Sequence, residues 1–211
     1  MKRILPLLFG LVCFTAHLNA AAISYHISVD TSSIPNSTAG FIEFQFNQAN
    51  ASTSLAATAT VSGFTSTGFT FDSLSDATLG GVTGSLSSLP IVFDNTIGGS
   101  NLYDGGVSNF GSNFSFILTL DGAALDTTAT DGSQFFVYLL GTDYGILAGP
   151  PAGVAGLTIN GDTTITTNAV TNLSTVEAYT APSVPEPSAF LLLGTGLVAL
   201  VSLRSRLARR A

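Results

Sequence analysis

The stretch Phe114-Ser115-Phe116-Ile117-Leu118-Thr119-Leu120 decides the fold class. Every second residue in it, starting at Phe114, is large and apolar. Successive side chains of a β-strand point to opposite faces of the sheet, so these apolar residues share one face. A period of two with one apolar face predicts a strand that packs against a hydrophobic core.

The same alternation predicts further strands on either side of this one. Residues 23–30, 41–46 and 55–61 place apolar residues at alternate positions, and residues 91–93 form a short apolar run. This pattern is typical of half-buried strands. Residues 134–140 are more continuously apolar, which predicts a strand that is covered on both faces.

Turn-forming residues separate the predicted strands. Asp121-Gly122 and Asp131-Gly132 can supply the positive φ angles that tight turns require. Asn160-Gly161-Asp162 lies between two short β-like runs and predicts a hairpin. Many short strands with frequent turns predict an all-β domain over residues 23–182, an antiparallel β-sandwich of jelly-roll-like outline.

The charges of the chain are unevenly distributed. All six Lys and Arg residues lie at positions 2, 3, 204, 206, 209 and 210, whereas every one of the thirteen acids except Glu186 lies within residues 30–177. Nucleic acid is therefore excluded as a partner, because phosphate binding needs Lys or Arg. The acidic domain should be soluble and sensitive to divalent cations and to pH.

The first 22 residues have the three parts of a secretory signal peptide, which implies the Sec export machinery as a partner. Lys2 and Arg3 precede the apolar residues 4–14, and small residues end the segment. Ala20 and Ala22 satisfy the A-x-A preference, so we expect cleavage before Ile23. Cleavage after Ala20 is the alternative. The only cysteine lies in this segment and is removed with it.

Residues 183–211 form a second targeting segment, at the other end of the chain. The motif Val184-Pro185-Glu186-Pro187 precedes an apolar run from Ala189 to Leu203. The run has 15 residues, against the roughly 20 that span a bilayer as a straight helix. A basic end follows and should stay in the cytoplasm, which places the domain outside. We predict a short hydrophobic transmembrane helix that is either a permanent weak anchor or a transient one. The basic residues are Arg204, Arg206, Arg209 and Arg210.

This motif, apolar run and basic end together resemble the PEP-CTERM sorting signal of exported bacterial proteins. The resemblance implies that an exosortase-type enzyme in the membrane recognises Pro185-Glu186-Pro187 and cuts the tail. It also implies a final place at the cell surface or in the extracellular matrix, together with exopolysaccharide or biofilm. Residues 29–32 and 39–47 resemble the opening of a PEP-CTERM subfamily without an established activity. A structural or adhesive role is the leading expectation.

Catalytic signatures are weak in the predicted domain, so we expect it not to be an enzyme. A nucleophilic triad needs a base, and His26 is the only histidine of residues 23–182. His26 falls on the polar face of the first predicted strand, where a solvated role is the simpler interpretation. Without cysteine, the usual zinc sites are excluded as well.

Two binding hypotheses remain as alternatives to a structural role, and we expect no other cofactor. Calcium takes oxygen ligands, and the stretches around Asp94, Asn101 and Asp104 are the richest in them, although no spacing matches an EF-hand. Carbohydrate is the other candidate ligand, because many β-sandwiches bind sugar on a face or a loop rim. The sequence therefore keeps a carbohydrate- or calcium-dependent binding module as the second interpretation.

Overall fold

The computed structural model describes residues 21–72, 75–97 and 100–180. These residues form fourteen β-strands and include a short 3-10 turn at Ala123–Leu125, which confirms the all-β class. The strands are β1 Ile23–Asp30, β2 Gly40–Gln48, β3 Thr58–Thr67, β4 Thr70–Phe71, β5 Ala77–Leu79, β6 Val82–Ser85, β7 Ser88–Asp94, β8 Leu102–Asn109, β9 Asn113–Asp121, β10 Ser133–Gly141, β11 Ile146–Ala148, β12 Ala155–Ile159, β13 Ile165–Ala169 and β14 Ser174–Tyr179.

Two antiparallel sheets form a sandwich, as the sequence predicts. The first sheet has the strand order β14-β1-β9-β3-β7-β6. The second sheet has the order β13-β12-β10-β2-β8-β4, and the short strands β11 and β5 pair with β10 and β8. The strand β9 lies near the middle of the first sheet, and β10 and β2 lie at the middle of the second.

The core lies between the inner faces of the two sheets. The alternate apolar residues of β9 are all buried, which confirms the prediction made from residues 114–120. Phe44 of β2 reaches across to β9, where its ring centroid lies 5.2 Å from that of Phe116 in an edge-to-face arrangement. Phe44 also stacks on Phe135 of β10 at 6.0 Å. Aromatic rings therefore join both sheets at the centre of the domain.

A buried asparagine adds a polar link inside this core. Asn95, which is 1% exposed, follows β7 in the first sheet. Its Oδ1 accepts from the Ala57 backbone N–H at 2.7 Å, and its Nδ2 donates to Ser133 Oγ of β10 at 2.8 Å. Because buried polar groups are costly unless they are paired, this arrangement fixes the spacing of the sheets locally.

The strand β10 differs from its prediction in one respect. Its inner residues are buried, but Gln134, Phe136 and Tyr138 on the other side are only half-buried. The strand is therefore fully covered on one face only. The predicted hairpin is confirmed, since β12 and β13 pair with Ile159 opposite Ile165.

The two predicted targeting segments fall almost wholly outside the described residues. Ala22 is exposed and precedes β1, whereas Ala20 lies outside the described residues. So do the sorting motif, the predicted helix from Ala189 to Leu203 and the basic end. Within residues 21–72, 75–97 and 100–180, no helix has the length and apolar character needed to cross a membrane.

Candidate functional site

The outer face of the second sheet carries an unusual set of side chains. Since Phe44 and Phe135 point into the core, the residues that alternate with them point outward. We define the outer face by the side chains that β10, β2 and β8 direct away from the core. They are Gln134, Phe136 and Tyr138 of β10, Glu43, Gln45 and Asn47 of β2, and Asp104 of β8.

Two carboxyl groups lie side by side on this face. The register pairs Glu43 directly with Asp104, and each residue is 7% exposed. Burial raises the pKa of Asp104 to about 7, and the hydrogen bond to Glu43 and the negative charge of Glu43 contribute to the shift. A hydrogen bond between two carboxyl groups requires that one of them carries a proton.

A neutral amide donates to Glu43, whereas part of Asp104 is unpaired. Gln45 Nε2 donates to Glu43 Oε1, and Asn47 Nδ2 donates to Gln45 Oε1 at 3.4 Å. On the other side of Glu43, Tyr138 lies in register with it. Burial and the Glu43 charge raise the pKa of Tyr138. The buried Asp104 Oδ1 has no hydrogen-bond partner among the described residues.

A neighbouring acid has a structural role instead. Tyr103 of β8 is fully buried, and its hydroxyl donates to Asp76 Oδ2 at 2.9 Å. The same hydroxyl accepts from the Leu86 backbone N–H at 3.0 Å, and Asp76 Oδ1 accepts from the Gly106 backbone N–H at 3.2 Å. Asp76 therefore ties the loop before β5 to β8.

A pocket of about 440 Å³ opens on the same outer face, beside β10 and β12. Gln134, Phe136 and Thr158 line it together with Asn168 of β13, and no charged residue is among its lining residues. A Cβ atom at Gly156 would come within 2.6 Å of Phe136 Cδ1. Because Gly156 has no side chain, the Phe136 ring occupies the space above β12 at the edge of this pocket.

The structure does not bring the three sequence-predicted calcium ligands into one hydrogen-bonded group. Asp94 lies at the end of β7 in the first sheet, and the Thr96 N–H and hydroxyl that donate to its carboxylate lower its pKa. Asn101 is buried, with its Oδ1 accepting from the Gly81 N–H at 2.6 Å. Asp104 pairs with Glu43. Among the described residues, no group of three or more His, Cys, Asp or Glu side chains is arranged to hold a metal ion.

Sequence reasoning missed Glu43 as the partner of Asp104 and missed the pocket. Glu43 could be recognised as an outward residue of β2 from the alternation alone. Its neighbour on β8 depends on a pairing between segments 61 positions apart, which no local pattern encodes. The apolar composition of residues 134–140 predicts cover on both faces, so the half-exposed side of β10 was not expected.

The comparisons with known proteins concern the C-terminal segment only. The family model described as the PEP-CTERM protein-sorting motif matches residues 183–210. No curated protein and no solved structure matches the chain. The matched segment contains the Val184-Pro185-Glu186-Pro187 motif, the apolar run and all four arginines of the basic end. The chain therefore carries a PEP-CTERM protein-sorting motif, a signal that exosortases recognise and that implies export and sorting at a membrane.

Proposed function

We propose that this protein is a non-enzymatic component of the cell surface or the extracellular matrix, with a structural or adhesive role linked to exopolysaccharide or biofilm. The single observation that carries the proposal is the sorting motif behind a β-sandwich. An acidic domain without internal Lys or Arg supports it, because such a domain stays soluble after export. A Sec-type signal peptide, cut before Ile23, starts this route.

The geometry of the carboxyl pair supports a role without catalysis. Glycosidases hold their two carboxyl groups roughly 5 Å or more apart, with the substrate between them. Glu43 and Asp104 instead lie directly opposite each other on adjacent strands, and both are buried, which leaves no room for a sugar between them. The only histidine among the described residues, His26, is half-buried on the outer side of β1.

The route to the surface ends, in this proposal, with exosortase-type cleavage at the sorting motif after a transient stay in the membrane. Mass spectrometry of the protein from its native host tests this step, because it reports both processed ends and any attached group. An N-terminus at Ile23 and a C-terminus near Pro187 are expected. Intact protein with residues 1–22 and 188–211 retained would contradict the proposal.

Processed protein should resist trypsin even when it is denatured. Trypsin cuts after Lys or Arg, and all six of these residues lie within positions 2–3 and 204–210. Removal of both ends therefore leaves no cleavage site. Gel electrophoresis of urea-denatured protein after trypsin treatment measures the result, with glutamyl endopeptidase as the positive control. A band that becomes shorter on trypsin treatment would show that an end had been retained, because cleavage can occur only within residues 2–3 and 204–210.

A carbohydrate-binding module is the second candidate, and the pocket beside Phe136 favours it. Its 440 Å³ lies within the usual range for small-ligand sites, and it combines an aromatic ring with amide and hydroxyl groups. A neutral lining in an acidic domain suits a neutral polyhydroxyl ligand rather than an anion. A larger pocket of about 620 Å³ beside Asp30 and Asn172 has no aromatic side chain in its lining.

Phe136→Ala is expected to weaken binding to a neutral polysaccharide by about tenfold, the factor that corresponds to one aromatic contact of about 1.4 kcal/mol. Affinity electrophoresis of the processed protein in gels that contain neutral glucans or galactans measures the change. Gly156→Ala should also weaken binding, because the new methyl group displaces the ring. Tyr144→Ala is the matched control, since Tyr144 is 58% exposed and stacks on Phe41 outside this pocket. Equal binding by the wild-type protein, Phe136→Ala and Gly156→Ala would remove the pocket as the site.

A further inference from the structure

The buried carboxyl pair lacks a positive partner. Glu43 and Asp104 are both 93% buried, which follows from their exposure of 7%. Burying a carboxylate is costly unless it is paired, and two adjacent carboxylates also repel each other. Gln45, two residues along β2, donates to Glu43, and Tyr138 lies opposite Glu43 on β10; both side chains are neutral at pH 7. Ala77 of β5 is the residue in register with Asp104 on its other side.

The described part of the chain supplies no Lys or Arg to balance this pair. The sequence has no Lys or Arg between Ile4 and Leu203, and His26 lies on the first sheet, on the other side of the core. The compensating charge must therefore come from the solvent, as a proton or as a metal ion. An unsatisfied buried atom such as Asp104 Oδ1 calls for an explanation of this kind.

We propose that Glu43 and Asp104 form the two-carboxylate centre of a binding site for a divalent cation of the calcium type. The two side chains offer up to four carboxylate oxygens, one of which is the unpartnered Asp104 Oδ1. Calcium accepts six to eight oxygen ligands in flexible geometry and takes water among them, whereas magnesium demands near-octahedral geometry. Asp104 Oδ1 is itself shielded from solvent, so the remaining ligands are water molecules that enter with the ion.

The site should be of low affinity. It has two carboxylates instead of the larger sets found in tight calcium sites, so we expect a Kd on the order of 0.1–1 mM, as in extracellular modules. The proposal does not rest on the sorting route or on polysaccharide binding, and its failure leaves both untouched. It differs from the sequence-based calcium hypothesis because it uses Glu43 and neither Asp94 nor Asn101.

The first test is thermal unfolding of the processed protein at pH 8, with 10 mM calcium chloride or with EDTA. We expect calcium to raise the Tm by about 3–8 °C, since a ligand that binds only the folded state stabilises it. In Glu43→Gln and in Asp104→Asn, calcium should not raise the Tm above the value that the same variant has in EDTA. Asp94→Asn and Glu177→Gln, which change acids outside the pair, should keep it.

A second readout uses terbium, which replaces calcium and emits when a nearby tyrosine is excited. The chain has no Trp, and Tyr138 lies in register beside Glu43, so bound terbium should be sensitised by this ring. Tyr138→Phe should reduce the emission strongly, and excess calcium should quench it. A calcium shift that persists in both pair variants would overturn the proposal, because the ion would then bind elsewhere. The absence of any shift in the wild-type protein, or an equal shift with sodium chloride of the same ionic strength, would overturn it as well.

Discussion

Asp104→Asn is expected to raise the Tm of the metal-free protein at pH 8. Burial and Glu43 raise the pKa of Asp104 to about 7, whereas an unfolded chain has the ordinary value near 4. Above pH 7 the folded state therefore holds two adjacent buried carboxylates. Asparagine has a similar shape, carries no charge and can donate to Glu43. The gain in the free energy of unfolding can reach about 4 kcal/mol, which corresponds to a pKa difference of about 3.

The sign of the pH dependence follows from the direction of this shift. Between about pH 4 and pH 7 the folded protein keeps a proton on Asp104 that the unfolded chain has released. The contribution of Asp104 to the free energy of unfolding is therefore largest below pH 4 and is lost as the pH rises towards 7. Asp30, Asp94 and Asp162 have lowered pKa values, so their contributions to stability are lost as the pH falls, but only below about pH 4.

Thermal unfolding in EDTA from pH 4 to pH 8 measures both effects. The wild-type Tm should fall as the pH rises, and the Tm of Asp104→Asn should fall much less. The two proteins should differ little at pH 4 and most at pH 8. Asp94→Asn is the control, because Asp94 accepts its hydrogen bonds from Thr96 and its replacement removes no repulsion. A wild-type protein that is more stable at pH 8 than at pH 5 would contradict the assignment.

Phe44→Ala is expected to destabilise the domain by about 3–5 kcal/mol, the usual cost of removing a buried Phe side chain. Phe44 is fully buried, and its ring contacts Phe116 of the first sheet and Tyr103 and Phe135 of its own sheet. Its removal opens a cavity at the point where the two sheets meet. For a domain of this size the Tm should fall by about 10 °C or more.

Urea or thermal unfolding measures this loss, with Phe41→Ala as the matched control. Phe41 lies on the same strand at odd spacing from Phe44, is half-buried and stacks on the exposed Tyr144. We expect Phe41→Ala to cost roughly 1 kcal/mol, within the range of ordinary substitutions. An equal cost at both positions would mean that the two sides of β2 are assigned wrongly. In that event Glu43 would no longer lie on the outer face.

The fold could be predicted because its signals are local. The alternation in residues 114–120 depends only on neighbouring residues, and the structure confirms that its apolar face is buried. The hairpin at Asn160-Gly161-Asp162 is equally local, since turn chemistry selects it. The polar link through Asn95 could not be predicted, because an asparagine after a strand is more simply interpreted as a turn residue.

The candidate site depends on pairings between distant segments. Asp104 is in the set of sequence-predicted calcium ligands, but its stretch was chosen for oxygen-rich composition along the chain. In the structure its neighbour is Glu43, which β2 contributes through the register of the second sheet. The pocket at Phe136 similarly needs Gly156 from the next strand. Sequence composition therefore pointed to one residue of the carboxyl pair, Asp104, and the strand register supplied its neighbour Glu43.

The place of β1 in the first sheet determines when the domain can fold during export. Its residues pair with β9 on one side and with β14 on the other, where Ser24 lies opposite Tyr179. A chain that crosses the membrane N-terminus first must hold its opening strand without partners until residues 113–121 emerge. It cannot close the sheet until residue 179 has followed. Such long-range pairing is slow to form. The sorting motif begins at residue 183, four residues after β14 ends at Tyr179. In such a chain the last strand becomes available only shortly before the motif, so the sandwich cannot be complete until most of the domain has crossed.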